Sequence, residues 1–240
     1  MSACFTASQP KAAARETADC IAAVRSVSLA GPAGRLEALL NPGSCRARFA
    51  ALVSHPHPLG GGTLHNKVVY HAMKVFNDPA WGFGCPVLRF NFRGTGLSQG
   101  THDGRAESGD VLAALGWLWS EYRLPIVAAG FSFGAAMTVA ACCSSIPGLP
   151  SIRALACLGL PIEAEGRAYA YPELPHCPLP KLFLSGDSDP FAPASRLALV
   201  AASAADPKQL ALIPGADHFF TGRIELMQKA LAGWLVEQIQ

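Results

Sequence analysis

Residues 125–143 read PIVAAGFSFGAAMTVAACC. An apolar run, 125–130, leads directly into Gly130-Phe131-Ser132-Phe133-Gly134, and a helix-forming stretch, 133–143, follows at once. A strand that ends at a serine with a helix starting behind it is the pattern of a nucleophile elbow. The flanking glycines relieve crowding in the sharp turn, and the helix N-terminus directs partial positive charge at the serine. Gly134, Ala135 and Ala136 are small enough to let that helix lie close to a sheet. The same stretch sits in an uncharged segment, Leu124 to Ile152, that is long enough to cross a bilayer. Pro125 opens that segment, the glycines break it, and Ser144, Ser145, Pro147, Gly148 and Pro150 close it. A buried strand, a tight turn and a buried helix account for it better than a membrane span.

Outward from this core the pattern repeats. Residues 24–30 and 35–40 flank the turn signal GPAG and predict an antiparallel pair. Further strands are predicted at 49–54, 86–92, 152–159, 181–186 and 209–215, with helices at 66–76, 107–122, 194–204 and 222–238. On the 107–122 helix, Val111, Leu112, Leu115, Leu118 and Trp119 mark the apolar face. Alternation of this kind implies an α/β architecture: a mostly parallel twisted sheet of about eight strands with helices on both faces. Loops after the strands then share one edge, where ligands bind in such sheets. Residues 160–180 carry five prolines and no clear element; they are too few for a second domain and are expected to wall a pocket. Residues 1–23 read as a poorly ordered or loosely docked lead-in and 24–240 as a single domain.

Bulk properties narrow the function. Of 240 residues half are hydrophobic and only 15% charged, which excludes a disordered or tail-like chain. A net charge of +2 without a basic run gives no case for nucleic acid as a partner. The N-terminus lacks the apolar stretch of a secretory signal, and no membrane association is expected. Eight cysteines show no C-x-x-C pair and several lie in apolar runs. They read as free thiols in a reducing, cytoplasmic setting.

G-x-S-x-G occurs a second time, at Gly96-Leu97-Ser98-Gln99-Gly100. Ser98 lies well beyond its strand with no helix behind it, so a connecting loop is the better reading there. Ser132 is the candidate nucleophile. A serine hydroxyl needs a base that an acid orients. In the chain order Ser…Asp…His, the acid should follow a later strand and the histidine a later one still. KLFLSGDSDPFAP (181–193) offers Asp187 and Asp189; Asp189, farther from the strand end and before Pro190, is preferred, with Asp187 bracing the turn. LALIPGADHFF (210–220) supplies His218.

The loop SHPHPLGGGTLHNK (54–67) holds three histidines and three glycines. His-x-His without further ligands at matching places argues against a metal site. Gly62 is followed by TLHNK rather than Lys-Ser/Thr, which argues against a phosphate-cradling loop.

Taken together, HPHPLGGGTLHNKVV, VLRFNFRGTGLSQG, AAGFSFGAA, LSGDSDPFAP and IPGADHFF make the chain resemble the α/β-hydrolase superfamily. More narrowly, it is similar to small lidless bacterial serine hydrolases related to dienelactone hydrolases and short-chain esterases. The resemblance implies the α/β-hydrolase fold with no cap domain. It also implies cleavage of an ester or thioester of a small or exposed acyl group, in a small-molecule acyl substrate, through Ser132, His218 and Asp189, with no metal and no organic cofactor. By family geometry the Phe133 amide is one oxyanion donor. Many relatives carry His-Gly where this chain has His-Pro twice; proline has no N–H, which moves the second donor to Leu59 or Gly60, with Leu59 favoured. An acyltransferase or peptidase-like activity on the same triad, or a binding module without catalysis, are the alternatives.

Overall fold

Pro32 and Ala33 turn β1 (Arg25–Gly31) back on β2 (Gly34–Asn41), and the two pair antiparallel from Arg25/Leu40 to Gly31/Gly34. Leu36, Ala38 and Leu40 alternate inward along β2, as a half-buried strand requires. The computed structural model describes residues 23–44, 46–144, 150–164 and 166–239. All but the last residue of the expected lead-in therefore lies outside the described residues. β3 (Ala50–Ser54), α1 (Lys67–Asn77), β4 (Val87–Phe90), α2 (Glu107–Tyr122), β5 (Ile126–Phe131) and α3 (Phe133–Cys142) follow. After β6 (Ile152–Leu158), β7 (Glu163–Ala164) and β8 (Arg167–Ala168) form a small hairpin. The chain ends with β9 (Lys181–Gly186), α4 (Ala194–Ser203), β10 (Lys208–Ile213) and α5 (Ile224–Ile239).

Eight strands make one sheet in the order β1-β2-β4-β3-β5-β6-β9-β10. β2 runs antiparallel to both neighbours and every other pairing beyond it is parallel. The expected α/β class, strand number and antiparallel N-terminal pair are therefore observed. Between β6 and β9 the described residues hold only the small hairpin and one short turn, with no helical cap.

Both faces are covered, which is why the central strands read as continuous apolar runs. In β5, Val127, Ala129 and Phe131 join the core beneath α1 and α5, while Ile126 and Ala128 join that beneath α2 and α3. Ala135 and Val139 of α3 pack with Leu197 and Ala201 of α4 over Phe183 of β9. Each large side chain buried this way contributes roughly 1.5–3 kcal/mol. Among the described residues no helix is long and apolar enough to cross a membrane.

The topology places the site. From β3 the chain crosses to β4 on one side and returns to β5 on the other, so the order reverses beside β3. Such a switch point opens a crevice at the carboxyl ends of the strands. The 54–67 loop leaves β3 there and Ser132 follows β5 there. β4 stops at Phe90, two residues before the predicted end. Asn91 N–H donates to Glu37 O and Phe92 N–H to the His55 ring, so neither continues the parallel ladder.

Candidate active site

Ser132 stands between β5 and α3 at φ 55°, ψ −122°. A non-glycine residue at positive φ costs of order 1–3 kcal/mol and needs its surroundings to hold it. Ser132 N–H donates to Leu158 O at 2.8 Å, and its carbonyl accepts from the Ala135 and Ala136 amides. The two glycines of the pentapeptide supply space rather than unusual torsions. A Cβ on Gly130 would sit 2.4 Å from Gly134 O, and one on Gly134 would sit 2.5 Å from His55 O and 2.6 Å from Ser54 O. α3 thus approaches β3 as closely as a bare backbone allows. Phe133 is the first residue of α3, and an amide at that position has no partner within its own helix.

Asp189 and His218 come together across the ends of β9 and β10. His218 Nδ1 lies 2.7 Å from Asp189 Oδ2, and both side chains are almost fully buried. The carboxylate is held on every side: Ser185 Oγ donates to Oδ2 at 2.9 Å, and the Phe191 and Ala192 amides donate to Oδ1. An acceptor held this way keeps the imidazole proton on Nδ1 and leaves Nε2 as the basic nitrogen. The imidazole packs among Phe131, Phe191 and Phe219, with ring centroids 4.9, 4.7 and 5.2 Å away. Phe131 directly precedes Ser132, so the elbow and the imidazole share one wall. Gly159, at φ 54°, makes room: a Cβ there would come within 3.1 Å of the His218 ring. Asp187 accepts from the Gly215 amide, and Asp217 accepts from the Phe219 and Thr221 amides. Both brace turns.

The second G-x-S-x-G serine is structural. Ser98 Oγ donates to Asn91 O at 2.7 Å and accepts from the Glu37 amide at 2.9 Å. In the 54–67 loop, His55 is buried, its Nδ1 donating to Pro56 O at 2.6 Å and its Nε2 accepting from the Phe92 amide at 3.0 Å. Burial in this neutral arrangement lowers its pKa to about 4. The two amides expected as second oxyanion donors are turned into the loop. Pro58 begins a short 3₁₀ turn over Pro58–Gly60, where Leu59 N–H donates to His57 Nδ1 at 3.3 Å and Gly60 N–H to His57 O at 3.1 Å. Proline favours the first position of such a turn, and the turn then uses the amides behind it. Among the described residues no three His, Cys, Asp or Glu side chains are grouped to hold a metal ion. The five described cysteines, Cys85, Cys142, Cys143, Cys157 and Cys177, carry no disulfide.

Several supporting residues escaped the sequence reading. Ser185 is a polar residue in a fully buried strand, a signal in itself because such a group needs a partner. Glu107 and Asp110 stand in the first turn of α2, and both are completely buried. Asp110 receives Arg93 through Nε and Nη2, the latter at 2.7 Å, which ties the loop after β4 to α2. Glu107 Oε1 accepts from the Asp103 and Gly104 amides and lies 2.7 Å from His102 Nδ1. The His102 ring stands 4.8 Å from that of His57 and 5.4 Å from that of Phe133.

Comparison with known proteins places this geometry. Residues 70–230 match the family described as alpha/beta hydrolase domain. An uncharacterized protein of Rickettsia prowazekii is 34% identical over 214 residues, 86% of each chain. Among solved structures, an alpha-beta serine hydrolase homologue from Coxiella burnetii superposes with a TM-score of 0.76 at 31% identity, over 87% of this chain and 96% of that one. A serine hydrolase without lid from Xanthomonas campestris gives 0.77 at 26% identity, over 89% and 94%.

Proposed function

The chain belongs to the alpha/beta hydrolase family, and on that premise we propose that it hydrolyses carboxylic esters or thioesters of small acyl groups through Ser132, His218 and Asp189. The observation that carries this reading is the buried Asp189–His218 pair, 2.7 Å apart, at the sheet edge where β5 delivers the strained Ser132. Ser132 Oγ attacks the acyl carbonyl while His218 Nε2 takes its proton; Asp189 fixes the tautomer and stabilises the imidazolium. The oxyanion is received by the Phe133 amide at the N-terminus of α3. Leu59 joins as second donor by releasing His57 Nδ1, a long bond in an exposed turn whose loss costs little. Collapse of the tetrahedral intermediate expels the alcohol or thiol, which takes the proton from His218 and leaves an acyl-serine. Water, deprotonated by the same imidazole, then attacks and frees the acid. The free buried thiols fit a reducing compartment such as the cytoplasm.

A fluorophosphonate probe tests the assignment. It is expected to label the wild type on Ser132, and Ser132→Ala should lose both the label and p-nitrophenyl ester turnover, while Ser98→Ala keeps them. Label retained in Ser132→Ala, or lost only in Ser98→Ala, would contradict the assignment.

A further inference from the structure

α3 carries Phe133 at its start, and Ala136, Met137 and Ala140 continue the same face along the next two turns. Those three residues floor a cleft of about 170 Å³. Its walls are Arg105, from the loop between β4 and α2, and the excursion after β6 with Arg167, Tyr169, Tyr171 and Glu173. At a rise of 1.5 Å per residue the floor lies roughly 6–12 Å along the helix from Ser132. The expectation that residues 160–180 wall a pocket is met by 167–171 and 173.

We propose, building on the hydrolase reading above, that this cleft is a subsite for an anionic group, a carboxylate or a phosphate, carried by the substrate at a short distance from the scissile carbonyl. Two guanidinium groups, those of Arg105 and Arg167, converge on it and one carboxylate, Glu173, opposes them. Arg105 is exposed and has no side-chain partner among the described residues. Arg167 is half-buried and oriented: its Nη1 donates to Gly104 O, and its guanidinium lies over the Tyr169 ring at 4.8 Å. A stacked guanidinium is a prearranged fork whose remaining N–H groups match a carboxylate or phosphate edge.

His102 links the cleft to the reacting centre. Its ring packs on Phe133, and the position of a Cβ on Gly104 would lie 3.9 Å from His102 Nε2 and 3.0 Å from Arg167 Nη1. Beneath it, Glu107 Oε2 is buried with no hydrogen-bond partner among the described residues. Its other oxygen, Oε1, lies 2.7 Å from His102 Nδ1. The apolar floor suits the methylene spacer of an acyl chain, and the arginines suit its charged end.

Kinetics on matched esters test this. p-Nitrophenyl butyrate is compared with the mono-p-nitrophenyl esters of succinate, glutarate and adipate, and phenyl acetate with 4-acetoxyphenyl phosphate. The acid series places the charge on the acyl side and the phosphate pair on the leaving-group side. At least one anionic ester should exceed its neutral partner about tenfold in kcat/KM, through KM. Arg105→Gln and Arg167→Gln should each erase most of that preference while leaving neutral esters within twofold, and Arg167→Lys should retain part of it. Equal handling of charged and neutral esters, or variants that slow both alike, would overturn the subsite.

If Ser132 is not labelled and no ester is cleaved, the hydrolase reading fails by itself. The subsite is then judged by calorimetric titration of monomethyl glutarate and inorganic phosphate. Saturable binding that disappears in Arg167→Gln upholds it, and no binding rejects it.

Discussion

Asp189 Oδ2 accepts from both Ser185 Oγ and His218 Nδ1, and the two amides at Oδ1 prevent the carboxylate from rotating to favour either. In the proposed triad Ser185 is thus a positioning residue: it touches Asp189 and acts through it on the His218 imidazole. Ser185→Ala removes one neutral donor worth about 1 kcal/mol, so kcat for p-nitrophenyl butyrate should fall about fivefold with KM unchanged. Ser185→Thr, which restores the hydroxyl, should recover most of it. A purely structural role would instead lower the unfolding midpoint and leave kcat per folded molecule intact. The same scale explains why G-x-S-x-G is so uninformative as a string. Ser98 and Ser132 share it, yet the first hydroxyl is engaged by Asn91 and Glu37 while the second sits on a strained turn behind a strand.

Between elements, the decisive contact is α3 against the end of β3. Gly134 lies so close to Ser54 and His55 that any side chain must displace one backbone from the other. Its torsion is ordinary, so the cost of Gly134→Ala is steric. Overpacking of this kind should destabilise the fold by about 1–3 kcal/mol, read from urea midpoints. Because the displaced helix carries Phe133, fluorophosphonate labelling of the folded variant should slow as well. The loop after β4 depends on a second inter-element contact, the buried Arg93–Asp110 pair. That pair presents His102 and Arg105 beside α3, so the proposed anionic subsite rests on the register between β4 and α2.

Across the whole molecule, His55 locks the two halves of the switch point together. It leaves β3, yet its Nε2 accepts from the amide of Phe92 beyond β4, 37 residues away. Burial holds it neutral, with a pKa of about 4 in the fold against about 6.5 when unfolded. Between those values only the unfolded chain binds the proton, so this contribution is fully present above about pH 6.5. It is lost as pH falls toward 4, by up to about 3 kcal/mol. Urea midpoints at pH 7.0 and 4.5 should show that loss, and His55→Gln should flatten it. In the wild type, the His55 ring protons should not titrate by NMR above about pH 5.

The strand–helix alternation, the sharp turn at Ser132 and the placing of Asp189 and His218 after later strands were all legible in the chain. Each is written in local periodicity, turn chemistry and order, which act over a few residues. The inward turn of the Leu59 and Gly60 amides was not legible, although Pro58 supplies its local cause. Nor were the support of Asp189 by Ser185, the Glu107–His102 contact, or a cleft formed by Arg105, α3 and Arg167. Those rest on side chains and backbone groups meeting across separate elements, where packing, not neighbouring sequence, selects the hydrogen-bond partner. Local order determined the sheet and which residues could react; tertiary approach decided which groups hold them and what charge stands beside them.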